Sequence, residues 1–434
     1  MTPRPPLAAI AVGIIAVLGI GVLLLRAAGA PIALGPETPT PSPTQRPSPA
    51  PTAEPTKGAS PSQDVAATFD QIEREVEALR GLPAAEIGPP EVIGRQQLLV
   101  ELRQAFDEDY PVEEREADNI TLRAMGLLGD DEDVAELQLQ LLGDQVLGFY
   151  DDTEKRMVVV SDAGVDASAR FTYAHEYAHA LQDAAFGLEA LEEQTNQEDD
   201  RDLALTSLVE GDATLSMFVW ALQGGLTPQE LLEIEEQPLP DMSGIPDWMV
   251  ATLEFPYAAG FEWTLQVAGD PFNADFGAID DAFADVPTST EQVLHFEKWD
   301  PREEPIVIEA PDLAGALGAN WRQVESTAIG EAFIAFVLEH FGVGPAVAAE
   351  AAAGWGGDRL VCASGPDGAF ALAWVLGWDT TTDADEFTDA YAEVVSALEF
   401  PARLTSLPSG EVVAVHASSD ELLTATLEAV GAGG

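Results

Sequence analysis

The sequence predicts an α+β fold, mainly helical, and three observations predict it. From residue 64 onward most segments repeat apolar residues at spacings of three and four, which is helical. One stretch before residue 161 switches to short β-prone runs around a turn, and the last hundred residues mix both patterns. The 434 residues, 46% of them hydrophobic, divide into an N-terminal apolar segment (1–30), a Pro/Thr/Ser-rich linker (31–63), a larger folded unit (64–320) and a C-terminal α+β subdomain (321–434).

The first element is the uninterrupted run from Leu7 to Leu25, which at ~1.5 Å per residue is about long enough to cross a bilayer as a helix. It predicts a single-pass membrane anchor that leaves the bulk of the chain outside the cytoplasm, with the weak basic bias of Arg4 against Arg26. Secretion after cleavage near Ala30 is the alternative, although Pro31 would follow the cut. Residues 31–63 lack apolar periodicity and are rich in proline, so they form an extended spacer.

Folded sequence begins at Asp64, where Val65, Phe69, Ile72, Val76 and Leu79 line one helix face. Helical patterns follow at about 91–106, 112–128 and 131–142. Two β-prone runs, 146–150 and 156–161, flank "DDTEK" and predict a hairpin. Helices are expected at 171–183 and about 202–222. In the C-terminal part 326–342 reads as helix, "RLVCAS" and "AFALAWVLGWD" as strands, and a helix, a strand and a helix close the chain.

Charge excludes one class of partner. With 76 acidic against 19 basic residues the formal charge is −57, a field that repels phosphate backbones, so nucleic acid is not expected. Cys362 is the only cysteine, so any metal must be held by histidine and carboxylate.

Such ligands stand in "FTYAHEYAHALQD", Phe171 to Asp183. On a helix His175 and His179 lie one turn apart on one face and can offer nitrogens to one ion at ~2.0–2.1 Å. Glu176 is rotated by about 100° from His175, where it can reach a water held by that ion and act as general base. A third ligand is needed. Gln182 and Ala185 rule out a downstream histidine of the H-E-x-x-H-x-x-G-x-x-H type. Glu210, in "LALTSLVEGDATLSM", is the best candidate, on a helix whose leucines predict burial. Gly211 beside it costs roughly 1 kcal/mol of helix propensity, a loss explained if this helix closely approaches the histidine helix. Asp212 points elsewhere on the helix and reads as a structural partner.

Further candidates are weaker in pattern. Asp183 could orient a ligand imidazole. Tyr257 in "EFPYAAG" and His295 in "STEQVLHFEKW" are polar groups able to donate to an oxyanion. His340 and His416 sit at core-like positions and are read as structural.

"HEYAHALQD" followed by "ALTSLVEGDATL" resembles the gluzincin zinc metallopeptidases, and in finer detail a set of prokaryotic membrane-anchored or secreted proteins of that kind. "LGFYDDTEKRMVVV", "FPYAAG", "STEQVLH" and "GWGGDR" extend the resemblance over most of 64–385. It implies a zincin-like catalytic domain at 64–320, with Zn2+ on His175, His179 and Glu210 and Glu176 as base. It also implies that the strand at Arg156–Val160 is the site-edge strand pairing with a peptide or protein substrate. An envelope-anchored binding or scaffolding protein with a structural or vestigial zinc site is the alternative.

Overall fold

A computed structural model describes residues 63–161, 164–196, 198–237 and 242–433. The expected membrane helix and all of the expected linker except Gln63 lie outside the described residues, and no described helix is long and apolar enough to cross a membrane. The architecture is α+β, mostly helical, with two separate sheets.

Helix α1 (Gln63–Arg80) buries Phe69, Ile72 and Val76, as its spacing predicts. The pattern expected to begin a helix at residue 91 instead starts with a strand, β1 (Glu91–Ile93). Val92 and Ile93 pair in parallel with Val159 and Val160, and helix α2 (Arg95–Asp109) starts only after Gly94. Helices α3 (Val112–Met125) and α4 (Val134–Gln145) follow; Asp133 caps α4 by accepting from the Ala135 and Glu136 N–H groups.

Strands β2 (Gly148–Asp151) and β3 (Arg156–Val160) form the expected antiparallel hairpin, with Tyr150 opposite Met157. The sheet order is β1-β3-β2, so β3 is the central strand and not an edge. This corrects the reading of Arg156–Val160 as a substrate-pairing edge: its free side is already taken by β1. The edges of this sheet are β1 and β2.

Helix α5 (Ala167–Phe186), capped by Asp166, runs beneath this sheet. Short helix α6 (Leu188–Glu192) leads into α7 (Asp199–Trp220), which is extended by a single wide turn at Ala221–Gly225. Then come α8 (Pro228–Glu235), opened by a Thr227–Glu230 capping box, and the long α9 (Asp247–Ala268). Four short helices, α10 (Phe276–Phe283), α11 (Thr290–Leu294), α12 (Phe296–Trp299) and α13 (Leu313–Leu317), lead to the second sheet.

That sheet is antiparallel, in the order β4-β5-β6-β8-β7, from β4 (Arg322–Thr327), β5 (Trp355–Ser364), β6 (Phe370–Trp378), β7 (Ala402–Ser406) and β8 (Val412–Ala417). Helices α14 (Gly330–His340), α15 (Pro345–Ala352) and α16 (Thr381–Ala397) cover one face with α3, while α13 and α17 (Asp420–Ala429) cover the other. Ser326 and Thr327, expected in a helix, belong to β4, because pairing with Val361 and Leu360 outweighs their local pattern. One apolar core runs across residue 320, joining Leu98 and Leu122 to Ile334, Leu360 and Trp374.

The N terminus of α7 is fastened to this second sheet. Asp200 accepts from the Thr290 N–H and hydroxyl, its own N–H donates to Ala328, and Arg359 pairs with Glu198 at 2.9 Å. Helix α7 therefore runs without a break from beside the C-terminal sheet to the residues described next.

Candidate metal centre

Two glycines bring α7 and α9 unusually close. A Cβ on Gly211 would lie 2.3 Å from the Gly260 carbonyl oxygen, and one on Gly260 would lie 2.2 Å from the Ser207 carbonyl oxygen. Gly211 does serve a close approach, but toward α9 and not toward the histidine helix as the sequence suggested. With that face given to α9, α7 turns Glu210 toward α5.

There three side chains converge. His175 Nε2 lies 3.1 Å from Glu210 Oε2, His179 Nε2 lies 3.3 Å from the same oxygen, and the two Nε2 atoms are 3.0 Å apart. Ligands held at ~2.0–2.1 Å around one tetrahedral ion stand about 3.3–3.4 Å from one another, so this triangle needs only a slight expansion to hold a cation. His175, His179 and Glu210 are the one such group of three among the described residues, and all are buried. The donor set, two imidazoles and a carboxylate, fits a divalent first-row metal.

Electrostatics agrees with that use. Burial favours a neutral His175 and lowers its pKa to about 4. Burial acts the same way on His179, but the charge and hydrogen bond of Glu210 overcome it and raise the value to about 9. For Glu210 burial is outweighed by His179 and by both imidazole hydrogen bonds, and its pKa falls to about 2. The carboxylate is thus ionised, and the positive charge it attracts rests on His179 when a proton supplies it.

Glu176 projects from the same helix toward β2. Its Oε2 accepts the Tyr150 N–H at 3.0 Å, while Oε1 is buried and has no partner among the described residues. Burial pushes its pKa up to about 8. Gly148 makes this approach feasible, since a Cβ there would lie 2.8 Å from Thr172 Cγ2. In the β2–β3 register Leu147 accepts from Val160, so Gly148 and Tyr150 turn their backbone groups away from β3, and the Tyr150 N–H meets Glu176 of α5.

Tyr257 on α9 joins the group: its ring centroid is 6.3 Å from that of His175. Its hydroxyl is buried and closes no well-formed hydrogen bond among the described residues. Burial, then the charges of Glu210 and Glu176, hold its pKa well above the usual tyrosine range.

His295 is not brought to this group. Its Nε2 lies 2.8 Å from Glu331 Oε1, in a separate polar cluster with Glu291 and Lys298. Asp183 does not orient a ligand imidazole either; it accepts from the Tyr150 hydroxyl at 2.8 Å and pairs with Lys155. The partner of His179 is Gln182, whose Oε1 lies 2.8 Å from Nδ1. Gln182 was missed as a site residue, although a lone amide on an otherwise apolar turn, three residues after His179, was a usable signal. Asp212 is the structural partner expected, bound to Arg80 and Gln182. His416 is buried between the Ala124 carbonyl and the Tyr391 hydroxyl, and His340 is half-buried against Phe341, both away from the centre. Cys362 is buried and free.

Residues 320–422 match the model of a family described as a domain of unknown function (DUF8575). No curated protein and no solved structure matches the chain. The matched span covers the five-stranded sheet and α14 to α16 and contains none of the metal-centre residues.

Proposed function

We propose that this protein is a zinc-dependent peptide hydrolase with a zincin-like catalytic unit, working outside the cytoplasm and tethered by the apolar segment at 7–25. The observation that carries the reading is the convergence of His175, His179 and Glu210 beside a carboxylate, Glu176, that has one buried, unpartnered oxygen. His175, His179 and Glu210 would hold the ion, whose chemistry is to acidify water and polarise a carbonyl. Glu176 Oε1 takes a proton from the attacking water and returns it to the departing amine nitrogen, while the Tyr150 N–H keeps Oε2 in place. The Tyr257 hydroxyl, buried beside Glu210 without a well-formed bond to it, donates to the oxyanion that forms on the carbonyl oxygen. An extended peptide aligns along the outer edge of β2, where Gly148 offers its N–H and both Gly148 and Tyr150 offer carbonyls.

Burial of all three ligands favours a second reading, in which the ion is a structural staple of a binding or scaffolding protein. One experiment separates them: cleavage of a labelled unfolded protein by the parent and by Glu176→Gln, with metal content measured in both. The hydrolase reading expects cleavage that chelator abolishes and that the variant lacks while retaining zinc. A parent that holds zinc and cleaves nothing, or a variant that cleaves as well as the parent, overturns it.

A further inference from the structure

The Gln182 side chain touches both ligand-bearing helices. Its Nε2 donates to the Val209 carbonyl at 2.9 Å and to Asp212 Oδ2 at 2.8 Å, residues that bracket Glu210 along α7. Its Oε1 faces His179 Nδ1. Both amide hydrogens are therefore spent on acceptors, and turning the amide over would set its oxygen against two acceptors. Only one orientation satisfies every group. In that orientation Oε1 accepts and His179 Nδ1 carries a proton, so Nε2, on the side of His175 and Glu210, is the nitrogen left to a metal ion.

The orientation depends in turn on Asp212 staying an acceptor. Its carboxylate is fully buried and faces Arg80 Nη2 at 3.0 Å, whose side chain is 1% exposed. Arg80 is itself fixed by Asp280 at 2.9 Å and by the Phe276 ring beneath its guanidinium. A buried pair of this kind is retained at a desolvation cost, and breaking either half would leave an uncompensated charge. His175 differs: its Nδ1 is buried and has no partner among the described residues. Of the two imidazoles, only His179 is held in one tautomer by a neighbour.

We propose that Gln182, oriented by Asp212 and Arg80, is a positioning residue that fixes the His179 tautomer and thereby sets the affinity of the centre for its metal ion. The inference rests on the metal-centre reading above and extends it to α1, far away in sequence. It also gives Arg80 a task that packing alone does not require.

The test uses the full chain and zinc alone, with affinity read by competition against a chromophoric chelator. The His179 ring form is read in the zinc-loaded protein by long-range proton–nitrogen correlations. Gln182→Leu should bind zinc on the order of 10–100-fold more weakly, and its His179 signal should cease to be that of the Nδ1–H form alone. Gln182→Met carries the same expectation should the leucine variant fail to fold. A parent that takes up no zinc overturns the metal-centre reading itself. A parent that binds zinc, alongside a folded Gln182 variant that binds it equally well with an unchanged ring signal, overturns this inference and leaves that reading standing.

Discussion

Gly211→Ala pits two effects of opposite sign against each other. Alanine gains about 1 kcal/mol of helix propensity over glycine in a helix interior. Here, however, the new Cβ would lie 2.3 Å from the Gly260 carbonyl oxygen and 2.3 Å from Thr264 Oγ1, where ordinary contacts begin at 3.4 Å. One of the two obstacles is backbone, so α7 and α9 must part by about 1 Å. Overpacking costs about 1–3 kcal/mol, and against a backbone obstacle the upper part of that range, about 2–3 kcal/mol, applies, leaving a net loss of about 1–2 kcal/mol after the propensity gain. The separation also moves Glu210, the next residue, whose Oε2 completes the triangle with the two imidazoles. Denaturant titration of the chelated protein measures the first consequence, and zinc affinity the second. A variant as stable as the parent or more stable, as propensity alone would give, refutes the close-packing argument. Gly260→Ala, whose Cβ would meet the Ser207 carbonyl at 2.2 Å, should behave alike.

Tyr257→Phe removes a buried hydroxyl that closes no well-formed hydrogen bond among the described residues, so stability should change little. If that hydroxyl supports the oxyanion, kcat should fall on the order of 10²–10³-fold with KM little altered, whereas unchanged turnover removes Tyr257 from the mechanism. Stability should also depend on pH through buried carboxylates remote from the centre. Burial raises Asp200 to about 7, despite its bonds from Thr290, and Asp358 to about 6, despite its bonds from Trp374, Ile329 and Gly330. Since the unfolded value is about 3.9, the folded form binds these protons more tightly. The stabilisation is complete below about pH 4 and is lost as pH rises through about 6 to 7. The thermal midpoint of chelated protein should thus fall between pH 5 and pH 8, less steeply in Asp358→Asn. A midpoint that rises over this range, or a slope the variant leaves unchanged, contradicts that assignment.

What the sequence revealed was what short-range periodicity encodes. The face of α1, the one-turn spacing of His175 and His179, and the buried helix carrying Glu210 all follow from residues three and four apart. What escaped it depends on distant pairing. Strand β1 has only three residues, too few for a pattern, yet it turns β3 from an edge into a centre and moves the free edge to β2. Gly211 announced a close approach but not its partner, because one glycine carries no information about which helix lies opposite. Asp183 and Gln182 are neighbours on α5, about 100° apart, and a small rotation decides which of them reaches His179. His295 looked available in isolation, and only the fold supplies Glu331 to occupy it.

His175, His179 and Glu210 must share one cation for any of this chemistry to occur. Metal content of the purified full chain, compared with that of Glu210→Gln after equal dialysis, addresses it most directly. One zinc per parent chain and a marked loss in the variant are expected. A parent without bound metal, or a variant that keeps its zinc undiminished, contradicts it.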